Sequence, residues 1–557
     1  MSKKTLFTFL ALCLVSVMVF TVAVPAGTAS LVSASSGRGF SIVPLERDTE
    51  DAMRAAGKSF KYPFPDSVNK GRKFNPTGDT VGILPTAATQ NVLVLFVNFT
   101  TPPPGGPATR LDLGTYFNPM LFGTFYNPPE YPLNSGYPTD RTLKNYYKEV
   151  SYGKVDVVTL NMPSSMGWLQ LTHPYDYYSK GDGIHDNGFG PYPNNAQGMV
   201  VDAIRAADSA VNFVNYAVNG EVPNLFVVFP GTGAEWSADP SLIWSHSWDL
   251  TEGTEWENGF WADGVKINNY AVMPEVGGDL TGYTGTVSGP FPPTVGVYAH
   301  EYGHVLGLPD QYDYGYESDG TDVYSLMAGG SWNRYPNVRM LSGNSPAHLD
   351  AWSKYRLGFV APTVITGTTA VTLPPAETEA AAFKMVVPNS GGKEYFLFEN
   401  RQQIGFDQGL IRFGPHGLAI YHVDDTVFTR NYWRANEAEN WKEFRSEGWR
   451  KAWTGETHYA ISIIQADDRW DLEHAAYYFD LSLGYSPTLA GDLYPGTLGK
   501  TEFSSYTKPN SSTYYWWGGN NDPKYGYSGV TVKNIAEVVG GNITANFSFV
   551  PFKTSKK

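Results

Sequence analysis

The segment AHEYGHVLGLPD, Ala299 to Asp310, gathers the residues of this chain best suited to chemistry. His300 and His304 are four residues apart, so on a helix they share one face, one turn apart. Two imidazoles so placed bind one zinc ion, with Glu301 beside the metal's water as general base. Gly307 lets the chain leave the helix through left-handed dihedrals, Pro309 reinforces the break, and Asp310 swings back as a third ligand. The fourth position stays open for water, as hydrolysis requires. The bland reading of the same spacing is an amphipathic helix with two satisfied histidines. The glycine and aspartate at these offsets weigh against it.

The residues beyond the helix discriminate between candidates for the third ligand. A site completed by a glutamate on a later helix needs that glutamate, yet none occurs between Glu317 and Glu377. Glu317 lies in DYGYESDGTD, a poor helix former. That leaves Asp310 ahead of His348, on spacing. A carboxylate ligand gives zinc more negative charge than a third imidazole, and so a slightly weaker Lewis acid.

Such a helix needs a scaffold. Asn91 to Phe99 (NVLVLFVNF) is a continuous apolar run typical of a buried strand, as are Asn224 to Phe229 and Asn268 to Pro274. Arg141 to Val150 and Asn195 to Val211 carry apolar residues at helical spacing, and the motif helix is expected over 293–306. This alternation predicts an α+β catalytic domain, a mixed sheet plus the active-site helix, over 89–360. Beyond 360 the character changes to short β-type runs (AVTL, FKMVV, EYFLFEN, LAIYHV, AISIIQA, GVTVKNI, ITANFSFV) separated by Gly, Pro and Asp turns. They predict an all-β sandwich domain over 361–557, with Trp433 to Trp453 as a charged helical insertion.

Lys3 and Lys4 precede an apolar stretch from Leu6 to Val24 and then small residues, which predicts a signal peptide over 1–29 and export. No other segment is long and apolar enough to span a membrane, so no stable membrane insertion is expected after cleavage. The single cysteine, Cys13, falls inside that signal. This excludes cysteine nucleophiles and thiolate-ligated metals from the mature chain. Residues 30–88 lack a long periodic apolar segment and are broken by prolines, as a pro-segment would be. A net charge of −14 over 557 residues, with no basic run in the body, argues against nucleic acid as a partner. Aromatic residues make up 15% of the chain and charged ones 17%, a balance that suits β-rich folds and aromatic-lined clefts.

The zinc motif resembles that of the metzincin clan, H-E-x-x-H-x-x-G-x-x-H/D followed by a methionine-containing turn. SLMAGGSW, Ser325 to Trp332, supplies that turn with Met327. YYKEVSYGKVDV, FPGTGAEWS, IWSHSW, HEYGHVLGLPDQYD, SLMAGGSWN, YFLFENRQQIGFD, GLAIYHVD, IIQADDRWDLE and GDLYPG are similar to segments of the immune inhibitor A family of bacterial peptidases. The likeness covers roughly 90 to 550 and implies a secreted zinc endopeptidase acting on extracellular proteins and peptides, often with structural calcium. Position 329 is glycine where many metzincins place a tyrosine, so the oxyanion-stabilising group is unassigned, with Tyr335 and Tyr298 as candidates.

Two acidic groups are candidate calcium ligands: Asp313, Asp319 and Asp322 with Glu317, and Asp467, Asp468 and Asp471 with Glu473. Solvated turn acids are the plain alternative, since neither group matches an EF-hand loop. In the pro-segment, FNPTGD ends at Asp79, and astacin-like relatives use a Gly-Asp carboxylate to occupy the zinc before activation. Asp79 is therefore a candidate latency ligand. Competing functions are a non-catalytic surface- or glycan-binding protein and a zinc amidase for small substrates; the intact Glu301 favours catalysis.

Overall fold

The computed structural model describes residues 40–63 apart from 59 and 61, and 88–550 apart from 108, 132–134, 163–164, 181–185, 257, 316–317, 431–433, 438–457, 474–488 and 515–525. The expected signal peptide, Asp79, Glu317 and most of the Trp433 to Trp453 insertion lie outside the described residues.

The apolar runs form the strands expected of them. Leu93–Asn98, Leu225–Thr232 and Asn269–Val276 lie parallel in one six-stranded sheet, with Trp168–Gln170 at one edge. At the other side, His246–Asp249 runs antiparallel to Asn269–Val276. The outermost strand is Ser41–Ile42, antiparallel to His246–Asp249 with Ser41 opposite Ser247 and Ile42 opposite His246. The central strands are buried on both faces, which is why they read as unbroken apolar runs rather than as alternations.

The helices are set by caps and by one apolar face. Leu143–Val150 starts at Thr142, whose side chain accepts from Asn145 N, and buries Leu143, Tyr146, Tyr147 and Val150. Ala196–Ala207 starts at Asn195, which accepts from Gly198 N. The motif helix, Val295–Val305, is buried on every side. Such burial requires close approach, and Gly303 provides it: a Cβ there would meet Met327 Sδ at 2.5 Å. Gly307, at φ +98°, ends the helix as its sequence position predicts.

The C-terminal part holds two sheets. One runs in the order Thr363–Val364, Phe383–Val386, Glu394–Arg401, Gly417–Asp424, Ile461–Ile463; the other is Thr369–Leu373, Ile543–Phe549, Val530–Glu537, Glu502–Phe503. Phe396, Phe398, Leu418 and Ile420 share an apolar cluster with Val530, Val532, Ile543 and Phe547. Their alternates Tyr395, Leu397, Ala419 and Tyr421 belong instead to the main core around the motif helix. The first of these sheets is therefore buried on both faces. Residue 360 marks a change of layer, and the core runs on across it.

Charged side chains reinforce the seam. Arg401, fully buried, meets Asp407 at 2.7 Å and donates to Tyr324 O, while Lys354 meets Glu399 at 3.0 Å. Removing one member would strand a buried charge, at a cost of about 3–5 kcal/mol.

Candidate active site

The motif helix turns His300 and His304 the same way, with ring centroids 4.6 Å apart. Each ring has its Nδ1 2.8 Å from a backbone carbonyl, that of Leu326 for His300 and of Leu308 for His304. An Nδ1 that donates its hydrogen to a carbonyl leaves a lone pair on Nε2, so the network assigns both Nε2 atoms as acceptors. These two acceptors lie 3.0 Å apart. Asp310 Oδ1 lies 3.1 Å from one and 3.3 Å from the other, and it has no hydrogen-bond partner.

Three electron-pair donors thus converge in a buried place with no proton among them. Two imidazoles and one carboxylate are a zinc donor set, and a tetrahedron with bonds of about 2.0–2.1 Å has edges of about 3.3 Å. The side chains present therefore fit a zinc ion. Burial and the neighbouring His304 lower His300 against the pull of Asp310. Burial would raise Asp310, yet the imidazoles, which attract its ionised form whenever they carry a proton, hold it down at about 2. Neutral rings and an ionised carboxylate are the forms a metal takes.

Glu301 follows His300 on the same helix. Both its oxygens are buried without a partner. Burial, then the Asp310 charge, pushes its carboxyl well above the ordinary range, and the Val43 amide beside it lowers it only in part. That amide is committed to Ser245 O at 3.2 Å. A carboxyl group with no hydrogen-bond partner for either oxygen is placed for proton transfer.

Of the other expected site residues, Met327 is brought directly beneath the helix, against Gly303. His348 is turned away, its Nε2 2.8 Å from Glu149. Tyr298 donates to Pro274 O, so its hydroxyl is committed to the scaffold. The Tyr335 backbone N–H donates to Asn344 Oδ1 and its carbonyl accepts from Asn344 Nδ2. Asp319 and Asp322 pair with Arg54 and Arg47 of the helix Arg47–Ala55, and Asp313 accepts from Gly315 N and Ser318 Oγ. Asp467 and Asp471 come together, joined by Asp492, whereas Asp468 accepts from Trp470 Nε1.

Two features leave no mark in the sequence. Tyr314 donates its hydroxyl to Asp310 Oδ2; the tyrosine stands in the same loop, but nothing in its spacing marks it as a partner. The second is the run Phe40 to Leu45, fully buried against the site. Ile42 O accepts from Tyr312, Val43 O from Trp244 Nε1 at 2.7 Å, and Pro44 O from Trp332 Nε1 at 2.8 Å. The Glu46 amide donates to Glu235 O at 2.7 Å. This extended segment pairs with the strand His246–Asp249 and passes beside Glu301.

Residues 114–360 match the model of the immune inhibitor A peptidase M6 catalytic domain. The chain is similar to immune inhibitor A of Bacillus thuringiensis subsp. alesti, 30% identical over 267 residues, which cover 43% of this chain and 34% of that protein. It is also similar to the pre-pro-metalloprotease PrtV of Vibrio cholerae serotype O1 (strain M66-2), 26% identical over 297 residues, or 48% of this chain and 29% of that one. The chain thus spans about a third of the length of these curated relatives.

Proposed function

Residues 114–360 belong to the immune inhibitor A family of peptidases, and from that premise we propose that this chain is a secreted zinc endopeptidase made as a latent precursor. The observation that carries the reading is the convergence of His300 Nε2, His304 Nε2 and Asp310 Oδ1 beside the unpartnered carboxylate of Glu301.

His300, His304 and Asp310 would hold the zinc. When bound, the ion supplies Lewis acidity toward a scissile carbonyl and lowers the pKa of a water toward about 7. The protein's own part is proton movement and positioning. Glu301 takes the proton from the attacking water and delivers it to the leaving amine. The carbonyls of Leu326 and Leu308 fix the imidazole tautomers, which keeps both Nε2 atoms available. Once Ser41–Ile42 is removed, the strand His246–Asp249 becomes an edge and offers to an extended substrate the backbone groups it gives to Ser41–Ile42. Proteins or peptides outside the cell are the substrates that suit this open-ended strand contact and the exported N-terminus.

Residues 30–88 act as the pro-segment, and the part from Phe40 to Glu46 maintains latency by lying where a substrate would. The C-terminal sheets form a β-sandwich that supports the motif loops through Arg401 and Tyr324. Among the described residues no helix is long and apolar enough to cross a membrane.

The test is hydrolysis of a generic protein substrate by the processed chain and by its Glu301→Gln variant, with zinc measured in both. We expect equal zinc and a rate about 10²–10⁴-fold lower in the variant. A processed wild type that holds zinc yet cleaves nothing would favour the non-catalytic reading instead.

A further inference from the structure

The segment from Ile42 to Asp48 meets the rest of the chain through polar contacts at two places. At the first, the Ile42 carbonyl accepts from the Tyr312 hydroxyl and the Val43 amide passes beside Glu301. The Ile42–Val43 bond is therefore the one set against the general base. At the second, Glu46 is fully buried. Its Oε2 caps its own helix by accepting from Thr49 N at 3.1 Å. Its Oε1 accepts from Ser342 Oγ at 2.7 Å, and Arg334 Nη1 donates to that same hydroxyl at 2.6 Å. Arg334 Nη1 lies 3.5 Å from Oε1, and Arg339 Nη2 lies 3.4 Å from Oε2.

This pocket takes its counter-charge from the segment. Among the described residues, every ion pair of Arg334, Arg339 and Arg412 is with Glu46 or Asp48. Loss of the segment leaves three guanidinium groups without those partners, and Arg334 is only 5% exposed at its side chain. A desolvated cluster of that kind favours a carboxylate, which arginine forks hold through directed, charge-assisted hydrogen bonds. Glu46 keeps extended dihedrals, φ −59° and ψ 130°, and the helix Arg47–Ala55 begins only after it. An extended peptide thus reaches the pocket without that helix.

We propose that Arg334, Arg339 and Ser342 form a subsite for an acidic side chain, which selects peptides carrying glutamate at the fourth residue beyond the cleaved bond. This rests on the reading of the chain as an endopeptidase whose cleft the segment fills. Val43 is the first residue after the bond set against Glu301, and Glu46 is the fourth. Arg412 pairs with Asp48 and has no bond to Glu46 among the described residues, so it adds field and not contact.

The test uses the processed chain and a series of peptides, with the cut bond read by mass spectrometry. The peptides are identical except that glutamate replaces glutamine at one position, walked from the second to the sixth beyond that bond. We expect kcat/KM to rise at least about 10-fold with glutamate at the fourth position, the scale of hydrogen bonds to charged groups, and to change little elsewhere. Lysine at the fourth position should lower it. In Arg339→Gln the glutamate-to-glutamine ratio at that position should fall severalfold. A flat scan in wild type, or a gain confined to another position, overturns the subsite, as does a ratio that Arg339→Gln leaves unchanged. Should that variant not fold, the wild-type scan decides by itself. Failure to cleave any peptide defeats the endopeptidase reading on which the subsite rests, whereas cleavage indifferent to the acid defeats the subsite alone.

Discussion

Tyr314 donates its hydroxyl hydrogen to Asp310 Oδ2, while the other oxygen, Oδ1, faces the Nε2 atoms of His300 and His304. One oxygen is held by the protein and the other is left for a metal. Tyr314 is thus a positioning residue for the third ligand, itself packed against Tyr312 at a centroid distance of 5.0 Å. Loss of an outer partner of this kind costs about 10–100-fold in metal affinity. Tyr314→Phe should weaken zinc binding by that factor, measured by competition with a chelator of known affinity, with little change in Tm of the zinc-loaded chain. An unchanged zinc Kd would remove Tyr314 from this role.

Gly303 and Met327 form the second tight contact of the site. A methyl at 303 would sit 2.5 Å from Met327 Sδ, and neither residue has solvent to move into. Gly303→Ala should destabilise the chain by about 1–3 kcal/mol in urea unfolding. Met327→Ala on its own opens a cavity and costs about 2–5 kcal/mol. The two changes compensate in volume, so the double variant should lose clearly less than the sum of the singles. Strict additivity would mean that Met327 relaxes away freely and does not brace the helix.

These contacts mark the limit of what is legible in the chain alone. Periodicity points to buried strands over 91–99, 224–229 and 268–274 and to helices over 141–150 and 195–211, each overlapping an observed element, because one-sided or full burial leaves a pattern in the chain itself. The convergence of His300, His304 and Asp310 into a candidate metal site is legible for the same reason: i, i+4 spacing and a glycine-assisted exit are local. Tyr314, the Asp492 carboxylate and the Ile42–Pro44 contacts are not, since each depends on segments brought together from far apart. Pairing across 270 residues, as between Ile42 and Tyr312, leaves no local trace. The change of composition near 360 suggests a domain boundary. The alternation in Glu394–Arg401, buried on both faces, shows a strand shared between two cores.

Glu235 supplies a pH dependence. It is fully buried, accepts from Ser245 N at 3.1 Å and from its hydroxyl at 2.7 Å, and burial raises it to about 7. An acid whose folded pKa is raised favours the native state below its unfolded value near 4.5, and that advantage fades as pH rises toward 7. At about 1.4 kcal/mol per unit the swing is on the order of 3 kcal/mol. Glu235→Gln should therefore flatten the decline in unfolding free energy between pH 4.5 and 7. A decline as steep as in wild type would assign it to other groups.

The proposed latent state depends on how firmly the N-terminal segment is held, and Asp48 is the point to probe. Its carboxylate sits between two guanidinium groups, 2.7 Å from Arg334 Nη2 and 2.7 Å from Arg412 Nη2. Burial raises Asp48, but Arg334 and then Arg412 outweigh it and bring the carboxyl below its usual 3.8. A lowered pKa gives stabilisation that is complete above the unfolded value and is lost only as pH falls beneath it. Latency should thus persist through mildly acid conditions and weaken only as pH falls below the ordinary carboxylate range. Asp48 sits one turn beyond the stretch lying beside Glu301, so its replacement leaves the zinc ligands untouched. Two charge-assisted hydrogen bonds of about 1.5 kcal/mol each amount to about 100-fold in the population of the released segment. Asp48→Ala precursor should accordingly gain activity much faster than wild type at neutral pH, followed by substrate cleavage over time and by the appearance of the shortened chain. Equal activation rates would show that the backbone bonds of Ile42 to Pro44, and not the arginine pair, keep the segment in place.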